Sequence, residues 1–308
     1  MILVAGGTGR LGTQVVRLLT QRGLQVRILT RDPDRARHLA GDRVEIVPGD
    51  VRDRGALEHA AAGAGTVVSA IQGFAGPGDG SPRSVDLQGN SNLIRAARAA
   101  GVDHFVLVSV RGAAPDHPME LFRMKHAAEQ ELRSSSLSWT IVRATTFMET
   151  WAALIGEPLL KTGKTRIFGR GTNPINFVSV HDVARFIELA VVDARLRAQG
   201  VDVGGPDNLT MEQVVQTIET VTGRSGAVGH VPRPMMRVMA TLARPVKPAL
   251  ARQIQAAVVM DTHDFSFDAS ETARAYPSIV PTALSEMIRR EYAKETETRS
   301  STSDGGPD

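Results

Sequence analysis

The stretch MILVAGGTGRLGTQVVRLL, residues 1–19, places four glycines and one arginine within the first twelve positions of a 308-residue chain. The apolar run ILVA at 2–5 is typical of a buried strand, and TQVVRLL has the apolar spacing of a helix. Gly7, Gly9 and Gly12 form the pattern G-x-G-x-x-G between this strand and this helix. The order strand, glycine turn and helix predicts the first unit of a dinucleotide-binding α/β fold.

The glycine turn has a physical reason at this place in the chain. Glycine permits a tight turn and lets the backbone approach a pyrophosphate closely, and the free N–H groups of the next helix attract its negative charge. We therefore expect a dinucleotide to lie on GGTGRLG. The alternative is a turn of the same shape that binds no ligand.

The end of the second predicted strand favours NADP(H) over NAD(H). An NAD site usually carries an acid there for the ribose 2′-hydroxyl, but this strand ends with Thr30 and Arg31, and Asp32 lies beyond them. Arg31 can bind a 2′-phosphate, and we expect Arg10 in the glycine turn to reach the same phosphate. The alternatives are that both arginines are solvated and that Asp32 only caps the helix that Pro33 opens.

The first half of the chain alternates strands and helices. The segments between successive predicted strands are long enough for helical crossovers between parallel strands. This pattern predicts an α/β fold, with a Rossmann-type doubly wound parallel sheet and a smaller C-terminal substrate lobe. The predicted strands of the first half are 2–5, 25–30, 44–50, 66–71, 104–109 and 138–143. We assign 1–143, completed by 175–206, to the NAD(P)-binding Rossmann core, 144–174 and 207–292 to the lobe, and 293–308 to a disordered tail.

Composition excludes several functional classes. Lys and Arg number 36 against 33 for Asp and Glu, and no basic run carries interleaved aromatic residues, so we expect no nucleic-acid partner. The chain contains no cysteine, which excludes disulfides and a cysteine nucleophile. Its eight histidines are scattered without the spacing of a metal site, so we expect no metal.

The length of the apolar runs bears on location. No run reaches the roughly 20 apolar residues of a membrane-spanning helix, and the first residues lead directly into a strand, which leaves no room for a signal peptide. We expect a cytoplasmic protein without a membrane span, as a monomer or homodimer.

Further motifs carry a family resemblance. GD and VRD lie at 49–53, VVSAIQG at 67–73 and DLQGNSNLIRAARAAGVDHFVLVS at 86–109, and KHAAEQELRSSSLSWTIVRATTFME, FVSVHDVA and VGGPDNLTMEQVVQTIETVTGR follow. Together with GGTGRLG and LTRDP they resemble the atypical short-chain dehydrogenase/reductase group, specifically the NmrA-like NAD(P)-binding proteins, over about residues 1–290. None of these motifs is specific for a substrate.

The resemblance implies a cofactor site along the strand ends. Asp50 and Val51 would flank the adenine, and the stretch from Ala144 to Phe147 would approach the nicotinamide, although the family often has Pro in place of Ala144. The expected cofactor-binding residues are Gly6, Thr8, Gly9, Arg10, Leu11, Gly12, Arg31, Asp50, Val51, Ser69, Ala70, Ile71, Lys125, Ala144, Thr145 and Phe147.

The catalytic residues depart from the usual pattern of short-chain dehydrogenases, in which Ser, Tyr and Lys act together. Lys125 stands at the lysine position, but Leu121 replaces the tyrosine expected four residues earlier. Ser109 ends the fifth predicted strand, and Val110 replaces a second hydroxyl residue. We select Lys125 and Ser109 as the catalytic candidates.

Two readings of Lys125 remain open. In the isoflavone-reductase type, a lysine at this place is itself the acid/base group, so the chain would be an NADPH-dependent reductase of a carbonyl, enone or quinone. In the other reading, Lys125 only holds the ribose, and the protein binds NADP(H) without turnover, as NmrA-like redox sensors do. A scaffold subunit of a larger complex is a third alternative.

The second half offers an apolar pocket and two ambiguous segments. Phe147, Met148, Trp151, Phe168 and the stretch 235–239 could line a pocket for an apolar or aromatic substrate. The segment PRPMMRVMATLARPVK could be a docking or membrane-surface helix, but its two internal prolines argue against one long amphipathic helix. Asp182 in HDVA is predicted to cap a helix.

Overall fold

A computed structural model of the chain describes residues 1–74 and 80–291. The strands in this part are β1 (Ile2–Ala5), β2 (Val26–Thr30), β3 (Val44–Pro48), β4 (Thr66–Ser69), β5 (His104–Val110), β6 (Ser138–Ala144), β7 (Thr146–Phe147), β8 (Lys164–Phe168), β9 (Ile175–Val178), β10 (Gln199–Val203), β11 (Asn208–Leu209) and β12 (Ala227–Val231). Residues 293–308, predicted as a tail, and Tyr292 lie outside the described residues.

Helices connect most of these strands. They include α1 (Arg10–Gln21), α2 (Arg54–Ala61), α3 (Gln88–Ala99), α4 (Glu120–Arg133), α5 (Met148–Trp151), α6 (Glu157–Thr162), α7 (Val180–Val192), α8 (Met211–Thr222), α9 (Arg233–Ala243), α10 (Pro248–Met260) and α11 (Ser270–Ala275). Short 3₁₀ segments occur at Pro33–Leu39 and Ala194–Leu196, and π-helical turns at Pro82–Leu87 and Ala152–Gly156.

The main sheet has seven parallel strands in the order β10-β6-β5-β4-β1-β2-β3. The strand order reverses beside β1, which makes β1 and β4 the switch point at which doubly wound folds bind their ligands. The predicted α/β class and parallel doubly wound sheet are therefore confirmed.

Helices cover both faces of this sheet. On one face, α1 and α7 pack through Val15, Leu19 and Val183 against strand residues such as Val4 and Val106. On the other face, α2, α3 and α4 pack against alternate strand residues, and the apolar side chains that they contribute include Leu57, Leu93 and Leu132. The period-two alternation of the strands sends successive apolar side chains to opposite layers.

Two smaller sheets lie beyond the main sheet. β9 pairs with β7 in parallel and with β11 in antiparallel fashion, and β12 pairs with β8 in parallel. The apolar side chains of α5, α6 and α8 form one cluster with β8 and β9, and α9 packs on α10 through Met236, Ala240 and Ile254. Although β9 belongs to a small sheet, the next helix α7 returns to the main sheet.

The helix caps test two sequence interpretations. Asp32 accepts a hydrogen bond from Asp34 N at 3.1 Å and caps the following 3₁₀ turn, as one alternative predicted. The prediction that Asp182 caps α7 is wrong, because the Ser179 hydroxyl occupies the cap. The Asp182 carboxylate instead accepts hydrogen bonds from Thr282 N at 2.7 Å and Thr282 Oγ1 at 2.8 Å, which ties α7 to the C-terminal segment.

Within residues 1–74 and 80–291, no helix is both long and apolar enough to cross a membrane. The same residues contain no cluster of His, Asp and Glu suited to holding a metal ion.

Candidate active site

A cleft of about 1900 Å³ runs along the carboxyl ends of the parallel strands. It begins at the glycine turn after β1, passes the ends of β2, β4, β5 and β6, and continues between α5, α9 and α10. Single ligand pockets usually measure about 300–1,000 Å³. The cleft therefore has room for a dinucleotide and a second molecule.

The glycine turn has the form that a phosphate cradle requires. Gly6 has φ +85°, and a Cβ there would lie 2.6 Å from Ala70 O, while a Cβ on Gly12 would lie 2.1 Å from Gly6 O. Gly9 is the N-cap of α1, and no side chain caps that helix. The N–H groups of its first turn are thus left to an anion in the cleft.

Two arginines lie at the β2 end of the cleft. Arg31 lies close to Asp50, whose pKa is lowered first by its hydrogen bonds with Arg52 and then also by the charge of Arg31. Arg35, which the sequence analysis does not select, also lines the cleft, and its Nη2 lies 3.5 Å from Thr8 O on the glycine turn. Arg35 lies four residues beyond Arg31, in the 3₁₀ segment Pro33–Leu39.

Arg10 is exposed and also lines the cleft. Burial raises the pKa of Glu149, and the charge of Arg10 opposes that rise. Arg10 also lowers the pKa of Glu157, after the larger effect of the hydrogen bond from Lys161. Arg10 therefore acts on carboxylates of α5 and α6, whereas Arg31 acts on a carboxylate after β3.

Lys125 is buried against the floor of the cleft with three acceptors around its ammonium group. Lys125 Nζ donates to Val108 O at 2.9 Å and to Ile71 O at 3.0 Å, and it forms an ion pair with Asp86 Oδ1 at 3.1 Å. The other oxygen of Asp86 accepts from Gly73 N at 2.9 Å. Lys125 thereby connects the ends of β4 and β5 with the π-helical turn that carries Asp86.

The hydroxyl groups of the two predicted serines donate hydrogen bonds to buried side chains of the protein. Ser109 Oγ donates to Glu129 Oε1 at 2.6 Å, and Glu129 is held by Arg143 at 2.6 Å. Ser69 Oγ donates to Asn90 Oδ1 at 2.5 Å and is fully buried. Both serines lie on the α3–α4 side of their strands, because they alternate with residues such as Val108 that face the other layer.

The cleft brings most of the predicted site residues together. Ser69 is the predicted residue that does not line it. Those that do are Gly6, Thr8, Gly9, Arg10, Leu11, Gly12, Arg31, Asp50, Val51, Ala70, Ile71, Ser109, Lys125, Ala144, Thr145 and Phe147.

His117, which sequence reasoning missed, presents a polar group to the cleft. It lies in the connection between β5 and α4, and its Nδ1 accepts a hydrogen bond from Met119 N at 3.1 Å. Its ring stacks on Phe122 with 4.0 Å between centroids and meets the edge of Phe265. Burial lowers the pKa of His117 below the ordinary 6.5. The neutral ring therefore carries its proton on Nε2, for which no protein acceptor is found in the described part of the chain.

The far half of the cleft is mostly apolar. Phe147, Trp151 and Phe168 line it as predicted, together with Met235 and Met239. Leu154, Leu250, Ile254, Met260 and Phe265 complete this region. Met148, also predicted, is buried in the core beneath it.

A seven-stranded parallel sheet, a glycine turn at its switch point and a cleft along the strand ends define a Rossmann-type α/β protein. The chain matches the NmrA-like family over residues 1–286, and it belongs to that family. The predicted family is thus confirmed.

Individual relatives differ in what they do. The chain is 31% identical over 225 residues to NAD(P)H azoreductase of Xenophilus azovorans, covering 73% of this chain and 74% of that protein. It is 30% identical over 243 residues to photosystem II assembly factor Ycf39 of a Synechocystis strain, covering 79% and 74%. The solved NADPH-dependent quinone oxidoreductase of Escherichia coli in complex with NADPH has a TM-score of 0.77, covering 95% of this chain and all of that chain at 20% identity, and supports the fold alone.

Proposed function

We propose that the protein is an NADPH-dependent reductase of apolar, conjugated small molecules such as quinones, enones or azo compounds. The observation that carries this proposal is the continuity of one cleft from the glycine turn to an apolar end, with His117 between them. The azoreductase relative supports the reaction class.

The cofactor end of the cleft fits a dinucleotide that bears a 2′-phosphate. The uncapped N-terminus of α1 and the close backbone contacts of Gly6 and Gly12 suit a pyrophosphate. Arg31 and Arg35 supply two cations beside the expected adenosine position. Arg35 thus takes the role of second cation that the sequence analysis gave to Arg10, and Arg10 is assigned to the pyrophosphate side.

NADPH, when bound, supplies the hydride for such a reduction. His117 Nε2–H is placed to donate a hydrogen bond to the substrate oxygen or nitrogen on which negative charge develops. The hydrogen bond from Met119 N to Nδ1 fixes the tautomer that has Nε2 as donor. The stack on Phe122 holds the ring in place.

Lys125 is assigned a positioning role. A proton donor must offer a free proton to the substrate, but the Lys125 ammonium already faces two carbonyls and one carboxylate. These partners make Lys125 a brace for the strand ends that line the cofactor. Ser109, bound to Glu129, supports α4 on β5 in the same way.

The segments around the apolar end form the substrate lobe in this proposal. Aromatic and methionine side chains provide flat and adaptable surfaces for a planar ring system. Polar side chains such as Lys161, Arg166 and Gln253 also line the cleft, but apolar ones predominate at this end. The proposed substrate class is therefore apolar, with His117 as its hydrogen-bond donor.

The test combines binding and turnover. Calorimetry with NADPH and NADH measures the preference, and NADPH oxidation is followed with a quinone, an enone and an azo dye. The proposal predicts tighter binding of NADPH and turnover with at least one acceptor. Equal affinities would contradict the cofactor assignment, and tight binding with no turnover on any acceptor would contradict the reductase assignment.

A second candidate is a binding protein without turnover, either a redox sensor or a scaffold. Two observations favour it: the Lys125 ammonium is fully engaged, and one relative is an assembly factor. In this case NADPH would bind without reduction of any acceptor, and a stable protein partner would co-purify with the chain.

A further inference from the structure

The end of α9, the connection after it and the start of α10 expose an unusual set of apolar side chains. Leu242 is 71% exposed, Val246 77% and Leu250 42%. Single exposed apolar residues are ordinary, but a contiguous group marks a surface that contacts something else. We call Leu242, Val246 and Leu250 the apolar tip.

The helix pair that carries the apolar tip does not need these residues for its own packing. Met236 and Ala240 of α9 are buried against Ile254 of α10. Pro248 begins α10, and Pro245 lies in the connection, so the prolines separate two helices instead of breaking one. The prediction that this segment does not form one long amphipathic helix is thereby confirmed, and the apolar tip lies where the two helices meet.

The charges around the apolar tip have one sign. The sequence contains no Asp or Glu between Glu219 and Asp261. Arg237, Arg244 and Lys247 are exposed, and in the described part of the chain no carboxylate forms an ion pair with them. A surface that docks here is therefore expected to carry negative charge.

We propose that the apolar tip, with Arg237, Arg244 and Lys247, docks the protein on an anionic lipid bilayer surface. Apolar side chains next to unpaired cations suit the boundary between acyl chains and anionic headgroups. A second copy of this chain would bring the same cations face to face across a symmetric interface. A nucleic acid would match the cations but would leave the apolar tip without a partner.

Docking in this way would set the mouth of the cleft against the lipid. Leu250 belongs both to the apolar tip and to the cleft lining, and Met235 and Met239 continue the lining along α9. An apolar substrate dissolved in the bilayer could then enter without crossing water. This consequence rests on the proposed reductase function, whereas lipid binding itself does not.

The experiment is flotation of the full chain with vesicles of phosphatidylcholine alone and of phosphatidylcholine with phosphatidylglycerol in equal parts. The wild type should float with the anionic vesicles and not with the neutral ones, and added salt should release it. Replacing Arg237, Arg244 and Lys247 by Gln should weaken binding about a hundredfold, at roughly 1 kcal/mol for each cation.

The apolar contribution is tested by L242E with V246E. The matched control is V280E, because Val280 is 72% exposed and lies outside the α9–α10 pair. The double variant should lose vesicle binding and the control should keep it. Wild type that stays unbound on anionic vesicles, or a double variant that binds as well as the control, would overturn the proposal, as would a wild-type dimer that the double variant dissociates.

The same variants separate this proposal from the reductase proposal. None of the five substituted positions at the tip lines the cleft, so NADPH affinity and turnover of a water-soluble quinone should be unchanged without lipid. If the protein binds vesicles but reduces no acceptor, the docking proposal is supported and only the reductase proposal is contradicted.

Discussion

Lys125 and Asp86 form an ion pair of 3.1 Å in which Lys125 is 3% exposed and Asp86 is fully buried. Burial raises the pKa of Asp86, and the Lys125 charge opposes that rise. The pair closes the floor of the cleft between the ends of β4 and β5. Its geometry fits a brace for the cofactor site better than a group that exchanges protons with a substrate.

Lys125→Met should destabilise the fold by about 3–5 kcal/mol, because it leaves Asp86 as an unpaired buried carboxyl group. The double variant Lys125→Met with Asp86→Asn should lose much less stability, since the uncompensated carboxyl group is removed as well. Urea unfolding of wild type, both single variants and the double variant completes the cycle. Additive losses would show that the two residues do not interact.

Arg31→Ala and Arg35→Ala should each weaken NADPH binding at least tenfold and leave NADH binding nearly unchanged. Each charge-assisted hydrogen bond to a 2′-phosphate contributes about 1.5–3 kcal/mol. Arg37→Ala is the matched control, because Arg37 is exposed in the same 3₁₀ turn, pairs with Asp34 and does not line the cleft. An equal loss for both cofactors in calorimetry would contradict the assignment of the 2′-phosphate.

Gly9 and Gly12 should respond differently to alanine. A Cβ on Gly9 meets one atom at 3.3 Å, whereas a Cβ on Gly12 lies 2.1 Å from Gly6 O. Gly9→Ala should therefore keep its thermal stability and lose NADPH affinity, and Gly12→Ala should lose stability. A Gly9→Ala or Gly9→Val protein that binds NADPH normally would refute the phosphate cradle.

Glu149→Gln should change how stability depends on pH. Burial raises the pKa of Glu149 above its ordinary 4.5, so the folded state holds this proton more tightly than the unfolded chain. The resulting stabilisation is complete below 4.5 and is lost as pH rises through the folded-state pKa. In thermal unfolding, the stability of the variant relative to wild type should therefore rise as the pH increases from 4 to 7.

Glu157→Gln is the control for this prediction. The hydrogen bond from Lys161 lowers the pKa of Glu157, so its contribution is present at neutral pH and is lost on acidification. The stability of this variant relative to wild type should therefore fall slightly as the pH increases over the same range. The same sign for both variants would mean that burial of Glu149 is not the cause.

His117→Phe should lower turnover by roughly 10²–10³, the usual cost of losing one donor to a developing negative charge. Phenylalanine can keep the stack on Phe122, so NADPH affinity and stability should change little. His126→Ala is the control, because His126 is on α4 beside Lys125 but does not line the cleft. Undiminished turnover of His117→Phe would remove this residue from the reaction.

The parts that were predictable from sequence are those fixed by local pattern. The apolar runs predict the bounds of strands β1 to β6 to within a few residues, and the glycines from Gly6 to Gly12 predict the turn after β1. β12 was missed because four of its five residues are exposed and its partner β8 is far away in sequence.

The site residues that sequence reasoning missed depend on tertiary contacts. His117 lies in a connection without a motif, and only the packing of Phe122 and Phe265 brings its ring into the cleft. No spacing rule predicts that Asp86 pairs with Lys125, because a π-helical turn positions its carboxylate there. Arg35 belongs to no motif, and the 3₁₀ segment Pro33–Leu39 brings its Nη2 within 3.5 Å of Thr8 O.

The most direct test of the central claim is the stoichiometry of a single reaction. Purified protein is mixed with NADPH and a quinone without oxygen, and NADP⁺ and quinol are both quantified. The account predicts one quinol for each NADPH consumed, at a rate that depends on His117. Tight NADPH binding with no quinol formed, for this acceptor and for an enone and an azo dye, would contradict it.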